Sequence, residues 1–242
     1  MIDLDVSALA LYFGDDYVIN DKIVLHQPTI NEIVLYDEAK YWQTIYQMCA
    51  IPSDMKSQLW DIGIDWCKIE DFELFLILSQ TMTADRTNII FGDVDFSKMR
   101  PFRNPQNGEV VLVDKDSGIQ IDKLIYLRIV TYLRKLHNIT PKPEKAKGKR
   151  AKMAMIEEDR RNREYNKDKP FRSYLLPLIS ALKVKQGYTK DYVRNMGLYE
   201  FFDDIQRIQA IDQANHLMNG TYCGMADLSK IDKKQFNWMR EL

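Results

Sequence analysis

GDVDF sets Asp93 and Asp95 two residues apart. If the segment is a strand, alternate residues face one side, and the two carboxylates could share one magnesium ion. The competing reading, two exposed carboxylates at a strand end, is the better supported of the two. VDKDSGIQID offers Asp114, Asp116 and Asp122 at a spacing that invites calcium. An EF-hand loop counted from Asp114 needs glycine at its sixth position and glutamate at its twelfth, but Ile119 and Ile125 stand there. A Ser117-Gly118 hairpin turn explains the segment better. His26, His137 and His216 lie in three separate stretches, with no second histidine or glutamate at a metal-binding spacing. Cys49, Cys67 and Cys223 are odd in number and far apart, which suits neither a disulfide framework nor a CxxC metal site and fits a reducing compartment. No GxSxG, P-loop or GxGxxG motif occurs. The chain therefore carries no legible catalytic chemistry, and no cofactor is expected.

Two stretches could meet nucleic acid. Residues 142–163 read KPEKAKGKRAKMAMIEEDRRNR, with five lysines and one arginine against one glutamate over 142–152. From Met153 onward acids and bases mix, as in a solvated helix laced with i,i+4 pairs. Aromatics that would stack on bases are missing except Tyr165. The net charge of -1 supplies no global basic field. The stretch reads as a flexible linker running into an exposed helix, to be cut first by proteases. GYTKDYVRNMGLYEFFDDIQ has the cadence of a helix-turn-helix, but its second helix would open acidic and aromatic, facing phosphates with carboxylates.

Periodicity and punctuation organise the rest. DDYVINDKIVLHQ reads as a hairpin turning at Asn20-Asp21, a pair suited to positive φ. Pro28 ends it, and Thr29 with Glu32 three residues on has capping-box spacing for a helix over PTINEIVLY. Asp37 caps EAKYWQTIYQMCA, whose Tyr41, Trp42, Ile45, Met48 and Cys49 share one helical face. Ser53 is the expected cap and Gly63 the C-terminal stop of the next helix. KIEDFELFLILSQTM, apolar nearly all round, reads as a buried helix. TNIIFGDV, FSKMRPF and EVVLVDKDSGIQID, with turn signals at Asn107-Gly108 and Ser117-Gly118, predict a small antiparallel sheet across about 88–121. Asp122 caps KLIYLRIVTYLRKLH, with Leu124, Leu127, Val130, Tyr132 and Leu133 as its apolar stripe. Ser173 and Gly187 bracket one more helix, Thr189 caps another, and LYEFFDDIQRIQAIDQANHLMNG is the longest helical pattern. The tail keeps Ile231, Phe236, Trp238 and Met239, too apolar to be free, so it should dock.

The expected architecture is mostly α: a helical part with a hairpin over 1–86, a small sheet plus helix over 87–140, a charged linker or exposed helix over 141–169, and a helical region over 170–242. No apolar run is long enough for a membrane span, and the amino-terminal stretch, with Asp3 and Asp5 and no basic region, does not read as a signal peptide. Four tryptophans, thirteen tyrosines and eleven methionines exceed what one small core must use, and such residues are enriched at interfaces.

QPTINEIVLYDEAKYW followed by PSDMKSQLWDIGIDWCKIEDFELFLIL resembles proteins of the tailed-phage tail-assembly-chaperone kind. LYEFFDDIQRIQAIDQANHLMNGTY and DLSKIDKKQFNWMREL are similar to the distal part of such proteins. The resemblance covers residues 15–80 and, more loosely, 190–242, and rests on packing motifs. It implies a non-enzymatic factor in the host bacterial cytoplasm that binds the helical tape-measure protein and helps tail-tube protein assemble on it. The family carries no catalytic residues. Contact residues implied are surface aromatics of the matched segments: Tyr36, Tyr41, Trp42, Trp60 and Trp66, then Tyr199 and Phe202. Homo-oligomerisation stays open. The rivals are a virion component of the tail-completion or baseplate kind, a nucleic-acid module using 142–163, and a metal-dependent enzyme at Asp93 and Asp95.

Overall fold

Ile19, Ile23 and Leu25 alternate with exposed residues and so turn one face of a hairpin inward. The computed structural model describes residues 6–105, 108–224 and 231–240. A short helix, α1 (Ala8–Tyr12), precedes β1 (Tyr17–Asn20), which pairs antiparallel with β2 (Ile23–Leu25). The turn departs from expectation: neither Asn20 nor Asp21 has positive φ. Instead Asn20 Oδ1 accepts from the N–H groups of Lys22 (3.0 Å) and Ile23 (2.9 Å), and a register shift absorbs the bend.

Then α2 (Ile30–Tyr36) starts on the expected capping box. Thr29 Oγ1 accepts from Glu32 N–H at 3.2 Å, and Glu32 Oε2 accepts from Thr29 N–H at 2.7 Å. Asp37 caps α3 (Glu38–Cys49) as read, and Tyr41, Trp42, Ile45, Met48 and Cys49 are all buried. The cap of α4 (Lys56–Asp61) differs. Ser53 sits in a 3-10 turn over Pro52–Asp54, and its hydroxyl caps nothing. Gly63, at φ +79°, stops this helix, and α5 (Asp71–Ser79) buries Phe72, Leu74 and Phe75.

The predicted sheet begins later than the composition suggested. TNIIF lies in α6 (Ala84–Phe91), not in a strand. Thr87, Ile90 and Phe91 recur at helical spacing and are buried, so packing overrides β propensity. The sheet itself is β3 (Arg100–Arg103), β4 (Val110–Val113) and β5 (Gln120–Ile121), antiparallel in that order. Asn107 lies outside the described residues. Asp122 Oδ1 accepts from Ile125 N–H at 2.7 Å to cap α7 (Lys123–Leu136). The buried face of α7 is Tyr126, Ile129, Val130, Tyr132, Leu133 and Leu136; Leu124 is exposed and Leu127 only partly buried, so the expected stripe was rotated. Arg128 ties α7 to the hairpin by donating to the carbonyls of Ile19 (3.0 Å) and Val18 (3.3 Å).

The basic stretch divides as read, an irregular segment over 141–148 and then a largely exposed helix, but that helix is docked rather than free. Residues 149–166 form α8 (Lys149–Asn166), which lies along α4. Ile156 is 0% exposed in a small cluster with Leu59, Trp66 and Leu74. Asp159 Oδ2 accepts from Ser57 N–H (2.9 Å) and Ser57 Oγ–H (2.6 Å), so a carboxylate from α8 supplies the α4 cap that Ser53 does not. Lys152–Asp65 (2.6 Å), Arg160–Asp61 (2.6 Å) and Lys56–Glu144 (2.8 Å) add ion pairs around it.

The same device recurs at α9 (Leu175–Gln186). Glu38 Oε1 accepts from the N–H groups of Tyr174 (2.7 Å) and Leu175 (2.9 Å), and Ser173 Oγ accepts from Leu176 N–H (2.9 Å). Gly187, at φ +71°, ends this helix. Thr189 caps α10 (Lys190–Asn195), and α11 (Leu198–Tyr222) spans the longest pattern as expected. The tail meets α11 through its backbone: Arg207 Nη1 donates to the carbonyls of Trp238 (2.6 Å) and Arg240 (2.8 Å). The chain is mostly α, and one apolar cluster runs from Val6 to Ile205, drawing on residues from 1–86, 87–140 and 170–242 together.

Truncating Ile156 to Ala removes a fully buried side chain, at about 2–5 kcal/mol for the docking of α8. In limited proteolysis, trypsin is expected to cut the native chain first at Lys145 and Lys147, in the irregular stretch before α8. Lys152, Arg160 and Arg163 should resist, and become early cleavage sites in Ile156→Ala and Asp159→Ala. Unchanged protection in both variants would show that neither contact holds the helix.

Candidate functional site: an apolar groove

The implied contact aromatics do not form one surface. Tyr41, Trp42, Trp66 and Phe202 are buried, which corrects their expected place at the surface. Their rings fill helix–helix interfaces, where their area stabilises the fold. Tyr36 and Tyr199 are half-buried, and Tyr36 donates to the Asp85 carbonyl at 2.7 Å. Trp60, 39% exposed, lies on α4. The exposed aromatics that do border this set are Tyr46 and Tyr174, each packed on Trp42 at ring distances of 5.9 and 5.4 Å.

The candidate metal and base groups resolve into structural roles. Asp93 and Asp95 lie in the irregular segment after α6, not on a strand; Asp95 caps a 3-10 turn by accepting from Ser97 N–H (3.1 Å) and Ser97 Oγ–H (2.6 Å). Asp114 folds its own turn, accepting from Asp116 N–H at 3.0 Å and Ser117 Oγ–H at 2.6 Å, with Gly118 at φ +65°. Asp122 caps α7, so the three carboxylates do not converge. Among the described residues no group of three His, Cys, Asp or Glu side chains could hold a metal ion. His26 lies between Asp16 (2.8 Å) and Glu32 (3.3 Å), and His216 is exposed on α11.

His137 is wholly buried. Its Nδ1–H donates to the Leu133 carbonyl at 2.7 Å, which leaves Nε2 to accept from Tyr41 Oη–H at 2.6 Å. Both ring nitrogens are thus satisfied in the neutral form, and burial holds the imidazole down at about 4. Burial likewise pushes the Cys49 thiol up to about 12, so this cysteine is inert packing.

The helix-turn-helix reading loses its recognition helix. Leu198, Phe201 and Phe202 at the start of α11 are core residues. Glu200 and Asp204 sit beside Tyr192 and Tyr188, which donate to them at 3.2 and 3.1 Å. Burial first, and then neighbouring carboxylates, raise both acids above their usual range. A surface of that sign does not hold phosphates. In the basic stretch, Lys152, Arg160 and Arg163 are engaged with Asp65, Asp61 and Ser57, so several of its cations serve docking.

The feature that no motif announced is a groove walled by α2, α9 and α10. It encloses about 320 Å³ and is predominantly apolar. Ile30 and Val193 form a buried floor, and Ile179 is partly buried. Val34 (53% exposed) and Leu176 (65% exposed) present their side chains outward. Lys183, Lys190 and Arg194 stand on its rim, and no lining residue is acidic. A second cavity, about 240 Å³, opens at the end of α7 beside Tyr199 and Phe202, but its lining is mixed and polar. The signal for the groove was present in sequence as surplus. INEIVLY needs only Ile30 and Ile33 for the core, and LLPLISALKVKQ is apolar on every side while burying Leu175 and Leu182.

The fold is thus mostly α, with an open apolar cleft whose far wall is built by the C-terminal helices. Those helices lie in the part of the chain, residues 166–242, that matches the family model described as the YomV second domain, a phage-derived family named for a protein of a Bacillus prophage. The match covers less than half of the chain and ties it to bacteriophage. No curated protein and no solved structure matches it significantly.

The unfolded chain takes up a proton at His137 near pH 6.5, whereas the folded chain does so near pH 4. Stability should therefore fall as pH drops between those values, by up to about 3 kcal/mol, because the unfolded state binds the proton first. Thermal melts from pH 7.5 to 4.5 are expected to show a shallower fall for His137→Gln than for the native chain; equal slopes would place the acid sensitivity elsewhere. Val34→Asp and Leu176→Asp, at exposed positions, should change stability by no more than about 0.5 kcal/mol, against about 3–5 kcal/mol for Phe202→Ala in the core.

Proposed function

We propose that the chain is a non-enzymatic phage morphogenesis factor, and that within that class it acts as a tail-assembly chaperone in the cytoplasm of the host bacterium. The observation that carries the reading is the apolar groove, whose α9 and α10 walls belong to the part with a phage-derived relative. A groove of this kind suits a protein that shields another chain's hydrophobic helix faces until they are packed elsewhere. The tape-measure protein, which is long and helical, is the proposed client, and tail-tube protein the second partner. Residues 15–80 contribute through their resemblance to tail-assembly chaperones, although the aromatics in that stretch act mainly as the packing that holds α2 and α3 in place. No metal or cofactor enters this reading. Among the described residues no helix is long and apolar enough to cross a membrane, which is compatible with it.

The test is recovery of the tagged chain from cells expressing its neighbouring genes, with partners identified by mass spectrometry. The expected result is one long, helix-rich protein held in a complex, with this chain missing from finished particles. Abundant chain in purified particles would overturn the chaperone role and make it a tail-completion or baseplate component.

A further inference from the structure

We propose that the α2–α9–α10 groove receives an amphipathic helix of the partner whose apolar stripe is flanked by carboxylates. This rests on the partner-binding reading above and adds the chemistry that selects the partner segment. The floor and walls are mostly aliphatic, Ile30, Val34, Leu176, Ile179 and Val193, with Asn31 and Ser180 as the uncharged polar residues among them, so they reward branched or linear aliphatic side chains. Discrimination falls to the rim. Lys183, Lys190 and Arg194 make no ion pair with any carboxylate among the described residues, whereas Lys185, near Lys183 on α9, is paired with Asp212. Three uncompensated cations around an apolar cleft attract carboxylates and repel lysine-rich segments.

The occupant's form follows from the walls. All three are helices, and no strand edge borders the groove, so an added strand would find no backbone partners. A helix satisfies its own backbone and presents aliphatic anchors at i, i+3 or i+4, and i+7. Glutamates beside that stripe would lie within reach of the rim cations. Each such exposed pair contributes modestly and weakens with salt, so the selectivity must be salt-dependent.

The experiment titrates the full chain against two labelled helix-forming peptides with the same leucine stripe, one flanked by Glu and one by Lys, read by fluorescence anisotropy. The Glu peptide is expected to bind about tenfold tighter or better at low salt, the margin one to two kcal/mol of pairing would give, and the gap should narrow as salt rises. Val34→Asp with Leu176→Asp should abolish binding of both peptides, and Lys183→Glu with Arg194→Glu should reverse the preference. Equal affinities, preference for the Lys peptide, binding indifferent to Val34→Asp with Leu176→Asp, or displacement by dodecanoate alone would each overturn the proposal. A native chain that selects the Glu peptide but recovers no tape-measure protein would keep the groove chemistry and remove the tail-assembly role. Recovery of that protein with the groove variants as efficient as native would do the opposite.

Discussion

The molecule depends on a short backbone stitch between the hairpin exit and the start of α11. Ile30 N–H donates to the Met196 carbonyl at 3.1 Å, and Leu198 N–H donates to the Pro28 carbonyl at 3.2 Å. Beneath them the buried Gln27 amide closes two more bonds, donating from Nε2 to the Leu11 carbonyl at 2.6 Å and accepting at Oε1 from Tyr199 N–H at 3.2 Å. Each bond contributes only about 1 kcal/mol net, but leaving such buried groups unpaired would cost more. Residues far apart in sequence are therefore held at one place, and α1, α2, α10 and α11 take their relative positions from it. The groove between α2 and α10 exists because this stitch sets their separation.

A second constraint is the supply of helix caps across the fold. Glu38, at the start of α3, caps α9; Asp159, in α8, caps α4. A carboxylate placed at a helix N-terminus meets unpaired N–H groups and the positive end of the helix dipole, so it stabilises the helix and docks its own element in one contact. Because Glu38 belongs to α3, the Tyr174–Leu176 end of α9 cannot drift from the N-terminal helices, and Leu176 is delivered to the groove wall. Because Asp159 belongs to α8, a stretch that looks like a tether becomes part of the body.

Charge consequently has two uses here. Around α8 it is spent internally, in pairs such as Lys152–Asp65 and Arg160–Asp61 that orient a helix with a narrow apolar contact. Around the groove it is left uncompensated beside aliphatic side chains. Exposed Val34 and Leu176 do not contribute to the core, and Lys183, Lys190 and Arg194 find no carboxylate within the described fold. Surface that contributes little to the chain's own stability is the part open to selection for binding; Leu176, Lys183, Lys190 and Arg194 lie within residues 166–242, which match the phage-derived family model, whereas Val34 lies outside them.

Local chemistry was legible in the sequence wherever the determining partners are neighbours. Thr29 with Glu32, Asp37, Asp122, Thr189, Gly63 and Gly187 bound their helices as their types and spacing predict, and the 3.6-residue repeat of LYEFFDDIQRIQAIDQANHLMNG became α11. The mostly α class followed from the same signals. Whatever depends on distant partners was not legible. TNIIF carries β propensity but became helix because Thr87, Ile90 and Phe91 had a core to meet. The stripe of α7 was rotated because Tyr126, Ile129 and Leu136, not Leu124, face that core. The aromatics Tyr41, Trp42, Trp66 and Phe202 went inside, while Val34 and Leu176, whose types are those of a core, were left exposed on the groove. Sequence by itself determined where the locally capped helices begin and end and that apolar residues exceed what the helices need. Only the tertiary structure decided which of those residues are left at the surface, since that depends on how the stitched and cross-capped helices share a limited interior.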